Sequence, residues 1–152
     1  MGYEDLITEA NAAGAVVKEL PLASGDGRIK NRHIAIRKDI LTTAKKADIL
    51  AEELGHYHTT VGNILDQSTS NARKQERTAR LWAYNKRIGL SGIIEAYKHH
   101  CQSRYEVAEY LEVSEDTLAE ALECYRQIYG TSVRVDNYII RFEPYLGIAE
   151  LF

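Results

Sequence analysis

Between Ala15 and Arg37 three short β-rich runs stand between segments that read as helix. They cover Ala15 to Leu20, Gly27 to Lys30 and Arg32 to Arg37, parted by Ser24-Gly25-Asp26-Gly27 and by the Asn31-Arg32 step. In the third run Ile34 and Ile36 alternate with His33, Ala35 and Arg37, the period of a strand with one buried face. The glycine pair predicts a hairpin turn, because glycine accepts positive φ at no steric cost. A small antiparallel sheet is expected. Strands gathered in one stretch, with helices before and after, point to an α+β chain that is mostly helical.

The flanking segments carry their own stop signals. Leu6, Ile7 and Ala10 predict a short helix from Tyr3 to about Ala13 that ends near Gly14. Thr42 or Thr43 can cap a second helix through KKADILAEELGH, with Ala44, Ala47, Ala51 and Leu54 along one side. His58 to Asn71, rich in Thr, Ser, Asn and Gly, reads as a loop with one turn at Ile64-Leu65. A further helix is expected over about 72–88, stopped by Gly89, with Glu76 in a small stripe of Ala72, Ala79 and Ala83. Three helical segments follow, at 91–101, 103–112 and 114–129. Ser103 with Glu106 forms a capping-box pattern, Ser114 is an N-cap and Gly130 a stop. Val133-Arg134-Val135, the Asp136-Asn137 turn and Tyr138 to Phe142 suggest a hairpin before Pro144. The expected organisation is a core over 1–88 and a helical lobe with a terminal hairpin over 89–152, packed as one unit.

Charge narrows the partners. Lys plus Arg total 19 against 22 Asp plus Glu, so a net charge of −3 gives no global attraction to phosphate or to an anionic membrane. No stretch approaches the roughly 20 apolar residues of a membrane span, and the N-terminus lacks a signal-peptide core, so a cytoplasmic protein is expected. Cys101 and Cys124 have no CxxC partner, which disfavours a disulfide scaffold or a zinc ribbon and predicts buried thiols.

The chemistry lies in Glu52-Glu53-Leu54-Gly55-His56. Positions i and i+4 of a helix lie about 40° apart, so Glu52 and His56 point the same way and can share one ion. Glu53 lies about 60° from His56, near enough to reach a water at that ion without ligating it, the place for a general base. His58 points roughly 120° to 160° away from the two and is left out of the ligand set. A catalytic zinc site usually takes three protein ligands and keeps an open position. Glu76 is the best third candidate, because an acid in an apolar stripe needs a partner. It could equally pair with Arg73 or Arg80 at surface helix spacing. His33, His99 and His100 are expected at the surface.

The order of short helix, small sheet, motif helix, loop and second helix resembles the ImmA/IrrE family of metallopeptidases, whose motifs are His-Glu-x-x-His and Glu-x-x-Ala-Asn-x-Phe-Ala. Here they read Glu52-Glu53-Leu54-Gly55-His56 and Glu76-Arg77-Thr78-Ala79-Arg80-Leu81-Trp82-Ala83, with matches at Glu53, Leu54, Gly55, His56, Glu76, Ala79 and Ala83 and with Trp82 standing for the aromatic. The resemblance covers roughly residues 1–88 well and the remainder loosely. It implies a zincin-like core with Glu52, His56 and Glu76 as ligands of Zn2+, or of another divalent ion such as Mn2+, and Glu53 as catalytic base. It also implies that the substrate is a helix-turn-helix repressor of a mobile genetic element. The departure is Glu52, where the family has histidine. His plus two carboxylates cancels the ion's charge, whereas two His plus one carboxylate leaves +1, so a less electrophilic centre is expected.

Two other readings stand beside this one. One is an ImmA-like module that binds a protein without cutting it. The other is a winged-helix DNA-binding regulator, since Ala108, Val113 and Leu118 fit a helix-turn-helix and the terminal hairpin could be its wing. The would-be recognition helix, however, carries Glu115, Asp116, Glu120 and Glu123 against Arg126 alone, a charge that repels phosphate. No direct nucleic-acid contact is expected. Tyr57 and His99 are the candidates for a second oxyanion donor.

Overall fold

The computed structural model describes residues 1–59 and 69–151, with side chains for 1–59 and 72–151. The chain is α+β and divides into two units, Met1–Lys86 and Arg87–Phe152.

The first unit opens with α1 (Tyr3–Ala12), which ends ahead of Gly14 at φ +90°. Three strands follow, β1 (Val16–Leu20), β2 (Gly27–Lys30) and β3 (His33–Arg37), in the order β1-β3-β2. Here the expected antiparallel sheet needs correcting. β1 runs parallel to β3, Val16 opposite His33 and Leu20 opposite Arg37, and only β2 and β3 are antiparallel. The hairpin turn is not at the glycine pair but at Asn31-Arg32, where Asn31 takes φ +55° between the paired Lys30 and His33. The glycine-rich segment instead carries the chain past β3 to the far edge, so β2 is an edge strand.

α2 (Thr43–Thr59) starts where Thr42 Oγ1 accepts the Lys45 N–H at 3.1 Å. It continues one turn beyond the expected end, so His58 and Thr59 are helical and not loop. Ile34 and Ile36 face Leu6, Ala10, Ala47, Leu50, Ala51 and Leu54 in one apolar core. The Glu19 carboxylate pins these elements together, accepting from Tyr3 Oη at 3.1 Å and Lys46 Nζ at 2.8 Å; that ammonium holds it below the usual carboxylate range. α3 (Thr69–Arg87) begins earlier than expected. Of its alanine stripe, Ala79 and Ala83 are buried and Ala72 is exposed. The proposed turn at Ile64-Leu65 lies outside the described residues.

The second unit holds α4 (Gly89–Lys98), α5 (Arg104–Leu111) and α6 (Glu115–Tyr129). Ser103 and Ser114 cap the last two, accepting the Glu106 and Thr117 N–H groups at 3.1 and 3.2 Å. Leu118, Tyr125 and Ile140 are fully buried in this unit. The C-terminal hairpin has a third strand that the sequence reading missed: β4 (Ser132–Val135), β5 (Tyr138–Arg141) and β6 (Gly147–Glu150) form an antiparallel sheet. Cys101 and Cys124 are free thiols, only partly buried where full burial was expected. Among the described residues no helix is long and apolar enough to cross a membrane.

Candidate metal centre

Glu52 and His56 leave α2 one turn apart, and α3 brings Glu76 against them. One ligand atom from each of the three lies within 4.8 Å of the others. His56 Nε2 and Glu76 Oε2 are 3.1 Å apart, and the Glu52 and Glu76 carboxyls share a hydrogen bond. Tetrahedral ligands at roughly 2.1 Å from a zinc ion would stand about 3.4 Å from one another, so small side-chain rotations suffice to close this trio around an ion. The donor set therefore fits a divalent metal, with two carboxylates and one imidazole drawn from two helices.

What allows the approach is Gly55. It is buried on α2 beside His56, and a Cβ built on it would overlap the carbonyl oxygen of Ala79, one helical turn after Glu76. Ala79 is itself fully buried. The two helix backbones are in contact at this point, and the contact fixes how far Glu76 stands from His56.

Glu53 lies beside the trio and is half-buried. Burial pushes its carboxyl above the ordinary value, His56 opposes the shift, and the charges of Glu52 and Glu76 add to it. Glu52 is raised as well, first by burial and then by its hydrogen bond with Glu76, while Arg80 pulls it down. Gly27, read from the sequence as a turn residue, packs on this site instead. A Cβ there would stand 2.8 Å from Ile49 Cγ2 and 3.0 Å from Glu53 Oε1, so the edge strand closes on the general-base candidate only because residue 27 has no side chain.

The remaining candidates sit elsewhere. His58 is exposed and stacks on Trp82 with ring centroids 5.0 Å apart. His33, His99 and His100 are exposed, as expected. Tyr57 Oη donates to the Ala13 carbonyl at 2.9 Å, which ties α2 to the end of α1 and leaves its hydroxyl engaged. His99 belongs to the second unit, its Nδ1 2.9 Å from the Glu95 carbonyl oxygen. Glu76 does pair with Arg80, at 3.3 Å, without leaving the trio. The sequence reading treated that pairing as an alternative to metal ligation, whereas the geometry accommodates both.

No curated protein and no solved structure matches the chain. A family model described as the IrrE N-terminal-like domain matches residues 10–123, a span that contains the sheet, both motif helices and all of Glu52, Glu53, His56 and Glu76. With most of its length inside that match, the chain belongs to the ImmA/IrrE family and carries a metallopeptidase-type domain.

Proposed function

We propose that the protein is a zinc-dependent endopeptidase that cleaves a helix-turn-helix repressor of a mobile genetic element. The observation that carries this reading is the convergence of Glu52, His56 and Glu76, with Glu53 alongside but outside the ligand trio. Glu52, His56 and Glu76 would hold the ion. Bound there, zinc supplies Lewis acidity, lowering the pKa of a water towards about 7 and polarising the scissile carbonyl. Glu53 accepts the proton of the attacking water and passes it to the leaving amine nitrogen.

The substrate assignment rests on family likeness. A protein substrate also accords with α6, whose Arg126 is taken up by Glu123 at 2.6 Å and Glu143 at 3.3 Å. With Arg126 so paired, Glu115 and Asp116 make the first turn of α6 negative, a charge that would repel a phosphate backbone.

Elemental analysis of the purified protein, followed by incubation with a panel of helix-turn-helix repressors and mass spectrometry of the fragments, tests the proposal. One divalent ion per chain and a discrete cut in one repressor are expected. Absence of a stoichiometric ion sinks the metal centre. An ion with stable repressor binding and no cut favours the non-catalytic module.

Gly27→Ala gives a second, narrower check. The added methyl meets Ile49 Cγ2 and the Glu53 side chain, so both must give way, and none of the three ligands is among the nearest atoms it meets. Cleavage should fall about tenfold or more, as expected for a displaced catalytic group, with zinc affinity held at the parent value. Undiminished turnover would show that Glu53 is not positioned by this contact.

A further inference from the structure

We infer that Arg80 is the resident counter-cation of this centre, setting its affinity for a divalent ion and the net charge of the loaded site. The inference rests on the reading of Glu52, His56 and Glu76 as metal ligands.

Arg80 follows Glu76 by one turn of α3, and its Nε lies 3.3 Å from Glu76 Oε1 and 3.8 Å from Glu52 Oε1. The guanidinium thus addresses both carboxylates of the trio, one from its own helix and one from α2. Its side chain is 55% exposed, so packing does not hold it there; charge does. Arginine suits the task, since a guanidinium stays charged at any relevant pH.

The arithmetic of charge gives this contact its meaning. Two carboxylates and a neutral imidazole leave no net charge on a divalent ion, and a guanidinium beside them returns +1. The family motifs quoted above have uncharged histidine and asparagine at the positions of Glu52 and Arg80. This chain departs at both, with a carboxylate and a guanidinium that touch. The two departures offset each other, so the loaded centre keeps the positive charge that favours polarisation of a carbonyl. The same guanidinium opposes the entry of a cation, because the ion must share both carboxylates with it.

The test measures zinc affinity of the full chain by competition with a chromophoric chelator, at low and high salt, for the parent, Arg80→Gln and Arg80→Lys. A divalent ion roughly 6 Å from a unit positive charge, in a water-like dielectric, loses about tenfold in affinity. Arg80→Gln should therefore bind zinc about tenfold more tightly than the parent at low salt. The gap should narrow at high salt, where exposed charges are screened. Arg80→Lys keeps the charge and should stay near the parent value. If Arg80→Gln binds zinc no more tightly than the parent, or if Arg80→Lys tightens it equally, the counter-cation role is wrong while the metal centre stands. If neither the parent nor Arg80→Gln takes up zinc, the ligand reading itself falls, and this inference with it.

Discussion

Glu53→Gln is expected to retain the bound ion and to lose repressor cleavage by roughly 10²-fold or more, the usual contribution of a positioned general base. The amide has the shape of the carboxylate, so it fits the same space against Ile49 and Gly27. It leaves all three ligand atoms in place. What it removes is the ability to accept a proton. Glu52→Ala should behave differently, releasing the ion, because one of three donors is gone and the two that remain come from different helices. Glu52→His restores the family motif. With Arg80 still present its loaded centre carries one more positive charge than the parent's, and it should keep metal and work at a lower pH. Measured together, metal content and cleavage separate the two adjacent glutamates. Should Glu53→Gln cut as fast as the parent, the proposed chemistry is wrong, whatever ion the protein holds.

The parts of this fold that were legible in the sequence are those set within a few residues. The alternation of Ile34 and Ile36, the caps at Thr42, Ser103 and Ser114, and the i, i+4 placement of Glu52 and His56 all follow from local periodicity and side-chain reach. The errors lie where two distant segments choose each other. Ser24-Gly25-Asp26-Gly27 has the composition of a tight turn, yet the parallel pairing of β1 with β3 turns it into a crossing, a choice made by the core contacts of β3 and not by the glycines. β6 is four residues after a proline-containing turn, too short to show a period, and it exists because β5 offers it an edge. The roles of Gly27 and Arg80 were hidden for the same reason. Each depends on what stands opposite in space, and a glycine facing a carboxylate looks the same in sequence as a glycine in a turn.

Gly55→Ala should do damage well beyond the size of one methyl group. In the middle of an ordinary helix this substitution gains up to about 1 kcal/mol, because alanine has the better helix propensity. Here the sign reverses. The new Cβ overlaps the Ala79 carbonyl oxygen and lies 3.2 Å from Ala79 Cα, so the obstacle is backbone, which cannot rotate aside as a side chain would. α2 and α3 must separate, and overpacking of this kind costs about 1–3 kcal/mol. A drop in melting temperature of roughly 2–12 °C is expected for a chain of this size. The greater loss falls on the metal centre. Glu76 sits one turn from Ala79 and His56 is the residue next to Gly55, so the displacement opens the 3.1 Å gap between them. Ligation demands distances near 2 Å, and a third ligand carried out of reach should lower zinc affinity at least tenfold. Adding Ala79→Gly should not restore it, because the clash is with the carbonyl and not with the alanine methyl. A Gly55→Ala protein that melts with the parent and binds zinc equally well would mean that the helices do not meet at Gly55 and Ala79.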